Sequence, residues 1–445
     1  MAAIYKEAAF PADYREAEVG QIMTAVYRLR SITVTGLAGM GKSNVVRFIV
    51  SHPQVGPCYL KERAGDYAFV HVDCAGLVTP SEIDILDEFT AQLRSEGLAR
   101  GKAPVLQDAR HARRALRERM LDLDPERNLV VALDYFDEAA LELNGSFFNY
   151  LFHLRNARPR GNLSYIFVTR RPMGHLHELE ELLDEGCVVG PLIAGDTLDS
   201  IRRDEARLGR SFSKAQRRLL IACTGGHPGF LKNATELLAS GELDAGLPSG
   251  EAARQLLRSG RVRNLCRELW SDLTPPEQAI LLKVVGGAVT SEAVDGAGVA
   301  FLERNGVLVR PEEGRRGPGL GVFCPLFAAF VRELEPAAAR SVRIVAVFPN
   351  RARIETLQGE DELTLSPRLF ALLAALVEAR GQTLAVDEII TRVYGQEAAG
   401  VSNAALSQLV KRLRGALDPC VRRMIGDPTY TCVEAIRNVG YRFNG

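Results

Sequence analysis

Residues 36 to 43 read GLAGMGKS, a G-x-x-x-x-G-K-[ST] spacing in which each residue type has a use around a phosphate. Gly36, Gly39 and Gly41 let backbone N–H groups curl round phosphate oxygens, and Lys42 neutralises charge at the β- and γ-positions. Ser43 offers its hydroxyl to Mg2+, and Asn44 follows as a further nucleotide contact. Such a loop needs a buried strand ending in an acid, and NLVVALDYFDEA supplies one. Asp134 follows five apolar residues and would complete the Mg2+ shell, with Asp137 and Glu138 one helical turn onward. Tyr135 rather than an acid comes directly after Asp134, so the candidate general base is Asp137 or Glu138. IFVTRR ends a further strand on Arg170, where an arginine can sense or stabilise a γ-phosphate or can simply sit on the surface. GGHPG is a turn between helices from which His227 and Pro228 could reach the base or the phosphates.

The elements that must position these residues are legible as periodicity. SITVT, the loop and NVVRFIV form the strand-loop-helix context that the motif requires. The β-branched runs SITVTG, YAFVHVD, NLVVALD, LSYIFVTR and CVVGPL alternate with amphipathic stretches, which predicts an α/β domain with a parallel sheet over residues 14–192. A helical lid follows over 193–260, in which Ser213 and Gln216 have capping-box spacing. Over 261–335, Thr274, Pro275 and Glu277 start a helix, and FLERNGVLVR, RRGPG and GVFCPLF complete the order of a winged helix. No basic cluster lies on FLERNGVL, which favours a protein-contacting lid there over a DNA reader.

The last unit, 342–445, reads as a second winged helix behind a small sheet built from VRIVAVF and ARIETL. A helix from about Ser402 to Leu417 carries Ala405, Leu406, Leu409, Val410 and Leu413 on one side. That leaves Asn403, Ser407, Lys411 and Arg414 outward and Arg412 at the border, the residue types a major groove accepts. Arg437, in the closing hairpin, is placed to enter an adjacent minor groove.

Composition sets outer limits. At 445 residues the chain should hold several domains. No apolar run approaches the ~18 residues of a membrane-spanning helix, and the N-terminal stretch lacks a secretory pattern, so a cytoplasmic protein without membrane contact is expected. The eight cysteines form no C-x-x-C pair and read as buried apolar residues. Net charge is zero, so any basic face must be local. From Val401 onward seven basic residues stand against three acidic ones. No period of about 20–50 residues repeats, which excludes a solenoid or propeller sensor.

In this order, YREAEV, GLAGMGKSN, DYFDEA, VTRR, GGHPG and LTPPEQAILLKVV resemble the STAND class of P-loop NTPases, signalling switches related to AAA+ proteins. LTLSPRLFALLAALVEARGQTLAVDEII, SNAALSQLVKRLRGAL and AIRNVGYRF resemble the OmpR/PhoB-type DNA-binding domain. The resemblances imply a P-loop NTPase with a helical lid followed by two winged helices, using ATP, ADP and Mg2+ as a slow switch. By position they imply that Lys42 and Ser43 bind phosphate and Mg2+, Asp134 completes the metal shell, Asp137 and Glu138 polarise water, Arg170 senses the nucleotide and Pro228 touches adenine. They further imply DNA as a partner, at direct-repeat promoter sites, and a homo-oligomer in the ATP state. With no sensor repeat, the signal would come from a protein partner, the nucleotide ratio or the lid. The competing readings are an AAA+-like initiator or loader, and a signalling or defence switch whose last domain contacts protein.

Overall fold

A computed structural model of the chain describes residues 5–77, 81–99, 108–143, 145–158, 162–173, 182–183, 185–286, 296–310, 320–338, 342–347, 350–356, 359–379, 382–398, 400–425, 430–436 and 439–444. It divides into two compact units, residues 1–273 with 290–329, and residues 274–289 with 330–445.

The first unit is built on five strands, β1 (Ile32–Thr35), β2 (Tyr67–Asp73), β3 (Asn128–Asp134), β4 (Leu163–Thr169) and β5 (Glu185–Val188). They lie in the order β2-β3-β4-β1-β5, and every pair is parallel. All seven residues of β3 and of β4 are buried, as strands of a parallel sheet covered on both faces must be. The covering helices are α1 (Glu16–Tyr27), α2 (Lys42–Ser51), α3 (Val55–Leu60), α4 (Glu82–Ser95), α5 (Ala109–Asp122), α6 (Phe136–Glu142) and α7 (Gly145–Ala157). One core fills the space between the sheet and α4–α7, where Phe89, Leu116, Phe136, Phe148, Leu151 and Phe167 pack with apolar side chains of β2, β3 and β4. Because β4 lies between β1 and β3, the loop after β1 and the acid ending β3 face one another across the end of β4.

Five helices follow, α8 (Ala194–Leu208), α9 (Lys214–Thr224), α10 (Pro228–Ser240), α11 (Ser249–Leu256) and α12 (Gly260–Ser271). The capping box that opens α9 is present: Ser213 N–H donates to Gln216 Oε1 at 2.7 Å and Gln216 N–H donates to Ser213 Oγ at 3.2 Å. Arg217 on α9 holds Glu205 of α8 through three bonds of 2.8–3.0 Å, which fixes the angle between these helices. The chain continues through α13 (Pro275–Val285), α14 (Ala297–Arg304), the short antiparallel pair β6 (Leu308–Val309) and β7 (Gly321–Val322), and α15 (Pro325–Ala338). These elements follow one another in the helix-helix-hairpin order expected over 261–335, with α13 in the second unit and α14, β6 and β7 in the first. Glu277 accepts the Thr274 N–H at 2.8 Å at the start of α13.

The second unit contains an antiparallel sheet, β8 (Val342–Val347), β9 (Arg351–Thr356) and β10 (Gly359–Thr364), in the order β10-β9-β8. After it come α16 (Pro367–Glu378), β11 (Thr383–Ala385), α17 (Val386–Tyr394), α18 (Asn403–Ile425), β12 (Val433–Ile436) and β13 (Gly440–Phe443). The last three strands pair antiparallel as β11-β13-β12, the wing of a winged helix. Leu372, Leu376, Ile389, Leu406, Leu413, Leu417 and Val421 form its core.

Seven of the eight cysteines are buried as free thiols, whereas Cys58 is exposed. Among the described residues no helix is long and apolar enough to cross a membrane, and no group of His, Cys, Asp or Glu has the form of a metal cluster.

Candidate functional site

The loop between β1 and α2 takes its shape from two glycines that no other residue could replace without strain. Gly39 has φ +74°, and a Cβ there would meet His227 Cε1 at 2.5 Å; Gly41 has φ +88° and is the residue before α2. Lys42 opens α2 and its Nζ donates to Gly36 O at 2.6 Å and to Leu37 O at 3.3 Å, so its ammonium is held over the loop backbone. Burial pushes the Lys42 pKa down, with the Asp272 carboxylate as the strongest opposing charge.

At the end of β3, Asp134 is fully buried, and among the described residues its carboxylate is met by donors. Oδ1 accepts the Ser43 hydroxyl at 2.9 Å and the Tyr135 N–H at 3.0 Å, the latter made possible by Tyr135 adopting φ +55°. Oδ2 lies 3.3 Å from His71 Nε2 and 3.9 Å from Arg47. Ser43 and Asp134 therefore offer a hydroxyl and a carboxylate side by side, a hard-oxygen set suited to Mg2+. Tyr5 OH lies 3.0 Å from His71 Nδ1. An ionised Asp134 can only accept, so His71 Nε2 carries the proton and Nδ1 accepts from Tyr5.

Gly39, Gly41, Lys42, Ser43, Asn44 and Asp134 line a cavity of about 380 Å³, with Asp137, Arg170 and Pro228 on its walls. Lys6 and Lys232 also line it, two cations that no motif marks. Arg170 Nε stands 3.4 Å from Asp137 and its Nη1 stands 3.3 Å from Asp272. One of the two candidate bases is thus paired with the candidate sensor arginine. The side chain of Glu138, the other, lies outside the described residues.

His227 and Pro228 have different places. Pro228 lines the cavity, while His227 is completely buried as the residue before α10. His227 Nδ1 accepts the Phe230 N–H at 3.2 Å, which leaves Nε2 as the donor to Ala38 O at 3.0 Å. Burial drives its pKa down to about 4, so the ring is neutral. The other polar group of Ala38, its N–H, donates to Asp272 Oδ2 at 2.6 Å. Arg15, also buried, donates through Nη2 to Met40 O at 2.8 Å and Gly190 O at 2.9 Å. Spacing does not reveal Asp272, His71 or the loop contact of Arg15. Arg15 and Glu18 do stand together in YREAE, and they form a 2.6 Å ion pair.

In the second unit, Asn403, Ser407, Lys411 and Arg412 are exposed along α18. Ser407 Oγ bonds Asn403 O at 2.9 Å and Tyr441 OH at 3.1 Å. Arg414 differs from expectation: it is half-buried, and its Nε donates to Val433 O at 2.7 Å. It lies only about 40° round the helix from buried Val410, which turns it toward the wing instead of outward. Ala405, expected on the apolar side, is exposed. Arg437 lies outside the described residues. On α18 Arg422 and Arg423 pair with Asp418 and Asp361, Arg414 is bonded to backbone, and Arg442 of β13 pairs with Glu434; among the described residues Lys411 and Arg412 are the cations of this helix with neither kind of partner. Arg412 also lines a cleft with Ser366, Pro367, Arg368, Tyr394 and Gln408, at the start of α16.

The AAA domain family matches residues 27–175, and the family of C-terminal domains of transcriptional regulatory proteins matches residues 359–443. The chain therefore carries an AAA-type ATPase domain and a C-terminal DNA-binding domain of the kind found in transcriptional regulators. No curated protein matches it. Among solved structures it is similar to a Walker-type ATPase of Pyrococcus abyssi, with 15% identity over 75% of this chain and 98% of that one and a TM-score of 0.47. The RuvB Holliday junction branch migration motor of Thermotoga maritima is similar at 12% identity over 72% of this chain and 94% of that one, with a TM-score of 0.34. C. elegans PCH-2 is similar at 12% identity over 57% and 69% of the two chains, also with a TM-score of 0.34.

Proposed function

We propose that this chain is a nucleotide-switched transcription regulator of the STAND type, in which ATP and ADP at the AAA-type domain set the DNA affinity of the C-terminal winged helix. The observation that carries the reading is the pairing of Ser43 with Asp134 at 2.9 Å beside Lys42, in one chain with a helix that exposes Lys411 and Arg412. Lys42 and the amides around Gly39 and Gly41 hold the phosphates, and Asn44 and Pro228 line the rest of the nucleotide site. Ser43 and Asp134 hold Mg2+, which when bound supplies charge neutralisation at the phosphates. Arg170 senses the terminal phosphate and, with Asp137 bound to it, ties that phosphate to the end of β4. Glu138 is left as the group to polarise water, and turnover is slow. In the DNA-binding unit Asn403, Ser407, Lys411 and Arg412 face the duplex, and Arg414 holds the helix on the wing.

One winged helix binds weakly alone, so self-association in the ATP state would align several of them on direct repeats and raise affinity through avidity. The test is selection of genomic DNA by the purified full chain with ADP or a non-hydrolysable ATP, repeated with Lys42→Ala and Arg412→Ala. The expected result is promoter DNA enriched with the ATP analogue, no nucleotide dependence in Lys42→Ala, and weak binding throughout in Arg412→Ala. Equal DNA affinity with both nucleotides in the wild type would refute the coupling.

A further inference from the structure

The P-loop is in contact with a carboxylate that none of its motifs includes. Asp272 follows directly after α12, with its side chain only 3% exposed. Its Oδ2 accepts the N–H of Ala38 at 2.6 Å, its Oδ1 stands 3.3 Å from Arg170, and its backbone carbonyl accepts Arg171 Nη1 at 3.0 Å. Among the acids that act on Lys42, Asp272 is the strongest, ahead of Asp137 and Asp134. A loop amide, the P-loop lysine and a strand-end arginine are the groups with which such a site holds a terminal phosphoryl group. Here a carboxylate takes the loop amide and the arginine, and its charge acts on the lysine, whose Nζ is bonded to Gly36 O and Leu37 O.

We propose that Asp272 is an internal anion occupying the terminal-phosphate position, so that this form of the protein takes a nucleoside diphosphate and admits a triphosphate only when Asp272 leaves. The inference rests on the nucleotide reading of the same site and adds what selects between nucleotides. Two anions cannot share these donors, because like charges at contact distance in a buried site repel strongly. A γ-phosphate must therefore take the Ala38 N–H and Arg170 away from Asp272. His227 leaves Ala38 little room to yield, since it holds the carbonyl of the same residue from the start of α10. The displacement also has somewhere to go: Asp272 stands two residues before Thr274, where the chain passes into the DNA-binding unit.

The test is titration of the full chain with Mg2+-ADP and with a Mg2+-bound non-hydrolysable ATP, in the wild type, Asp272→Asn and Asp272→Ala. Asparagine keeps the size of the side chain and an acceptor for Ala38 N–H while removing the charge; alanine removes both. The wild type should prefer the diphosphate, and either variant should shift the affinity ratio toward the triphosphate about tenfold or more, chiefly by tightening the triphosphate. In the unmodified protein, hydrogen exchange across Glu268–Leu273 should quicken with the ATP analogue and not with ADP. An unchanged affinity ratio in the variants, or equal exchange with both nucleotides, overturns the role of Asp272 while leaving nucleotide binding intact. Failure of the wild type and both variants to bind either nucleotide would instead remove the nucleotide reading itself, and this inference with it.

Discussion

His71 does for Asp134 what outer partners commonly do for metal-holding groups: it fixes the carboxylate through one ring nitrogen while Tyr5 fixes the ring through the other. His71→Leu should raise the Mg2+ concentration needed for nucleotide binding by about 10–100-fold, whereas His71→Gln, which keeps an N–H near the position of Nε2, should recover most of it. A Mg2+ titration that gives the same midpoint for leucine and glutamine would show that His71 only fills space. His227 makes a separate prediction through acid stability. Its pKa is about 4 in the fold, pushed down by burial from 6.5. Above that upper value both states are neutral; in the window below it only the unfolded chain takes up the proton, so stability falls as pH drops toward 4. The loss at the lower end is about 3 kcal/mol. Trp270, the single tryptophan, lies in α12 and reports unfolding of this unit. Urea midpoints read from it should fall more steeply between pH 7 and about 4.5 in the wild type than in His227→Gln. The phosphate loop, Ser43 and Asp134 are legible in sequence because each motif is local. Asp272 and His71 are not, since their partners lie 234 and 63 residues away and only the fold brings them together.

At the scale of elements, α18 shows what periodicity gives and where it stops. The apolar positions Leu406, Leu409, Val410 and Leu413 are buried as their spacing predicts. The helix does not end before Asp418-Pro419, however, but runs to Ile425 with Pro419 inside it. Asp418 is buried and accepts the Cys432 N–H at 2.9 Å and the Thr431 hydroxyl at 3.1 Å, while Val421 enters the core, and these long-range contacts outweigh the break that proline signals. The same helix separates two arginines that composition treats alike. Arg412→Ala should weaken DNA binding and reduce the slope of log K against log salt by about 1. Arg414→Ala should leave that slope unchanged and lower the melting temperature of the DNA-binding unit, because its bond is to Val433 O. Arg368, beside Arg412 in the cleft at the start of α16, should behave as Arg412 does and weaken binding to all sequences equally. Equal salt slopes in all three variants and the wild type would remove this face from the DNA contact.

For the molecule as a whole, a net charge of zero conceals an uneven distribution. Among the described residues from Val401 onward, Arg414, Arg422, Arg423 and Arg442 are paired or bonded to backbone, which leaves Lys411 and Arg412 there to meet phosphate. One copy should therefore have a shallow salt dependence on DNA, and the proposed joining of copies is what would supply strong binding. The chain passes between its two compact units three times, after Leu273, Val289 and Ala329, and these are the covalent links through which the proposed coupling would act. If the ATP state brings two DNA-binding units onto one duplex, the number of phosphates neutralised in the binding event doubles, and so does the salt slope. Titrations of a direct-repeat site over a range of salt should thus give about twice the slope with the ATP analogue as with ADP. Asp272→Asn should reach the steeper slope at a lower concentration of the ATP analogue, since the internal anion no longer opposes the triphosphate. Lys42→Ala should keep the shallow slope with either nucleotide. A steeper slope with ATP in Lys42→Ala would mean that nucleotide acts somewhere other than the loop. Tighter binding with ATP at an unchanged slope would mean that it alters the contacts of one copy without adding another.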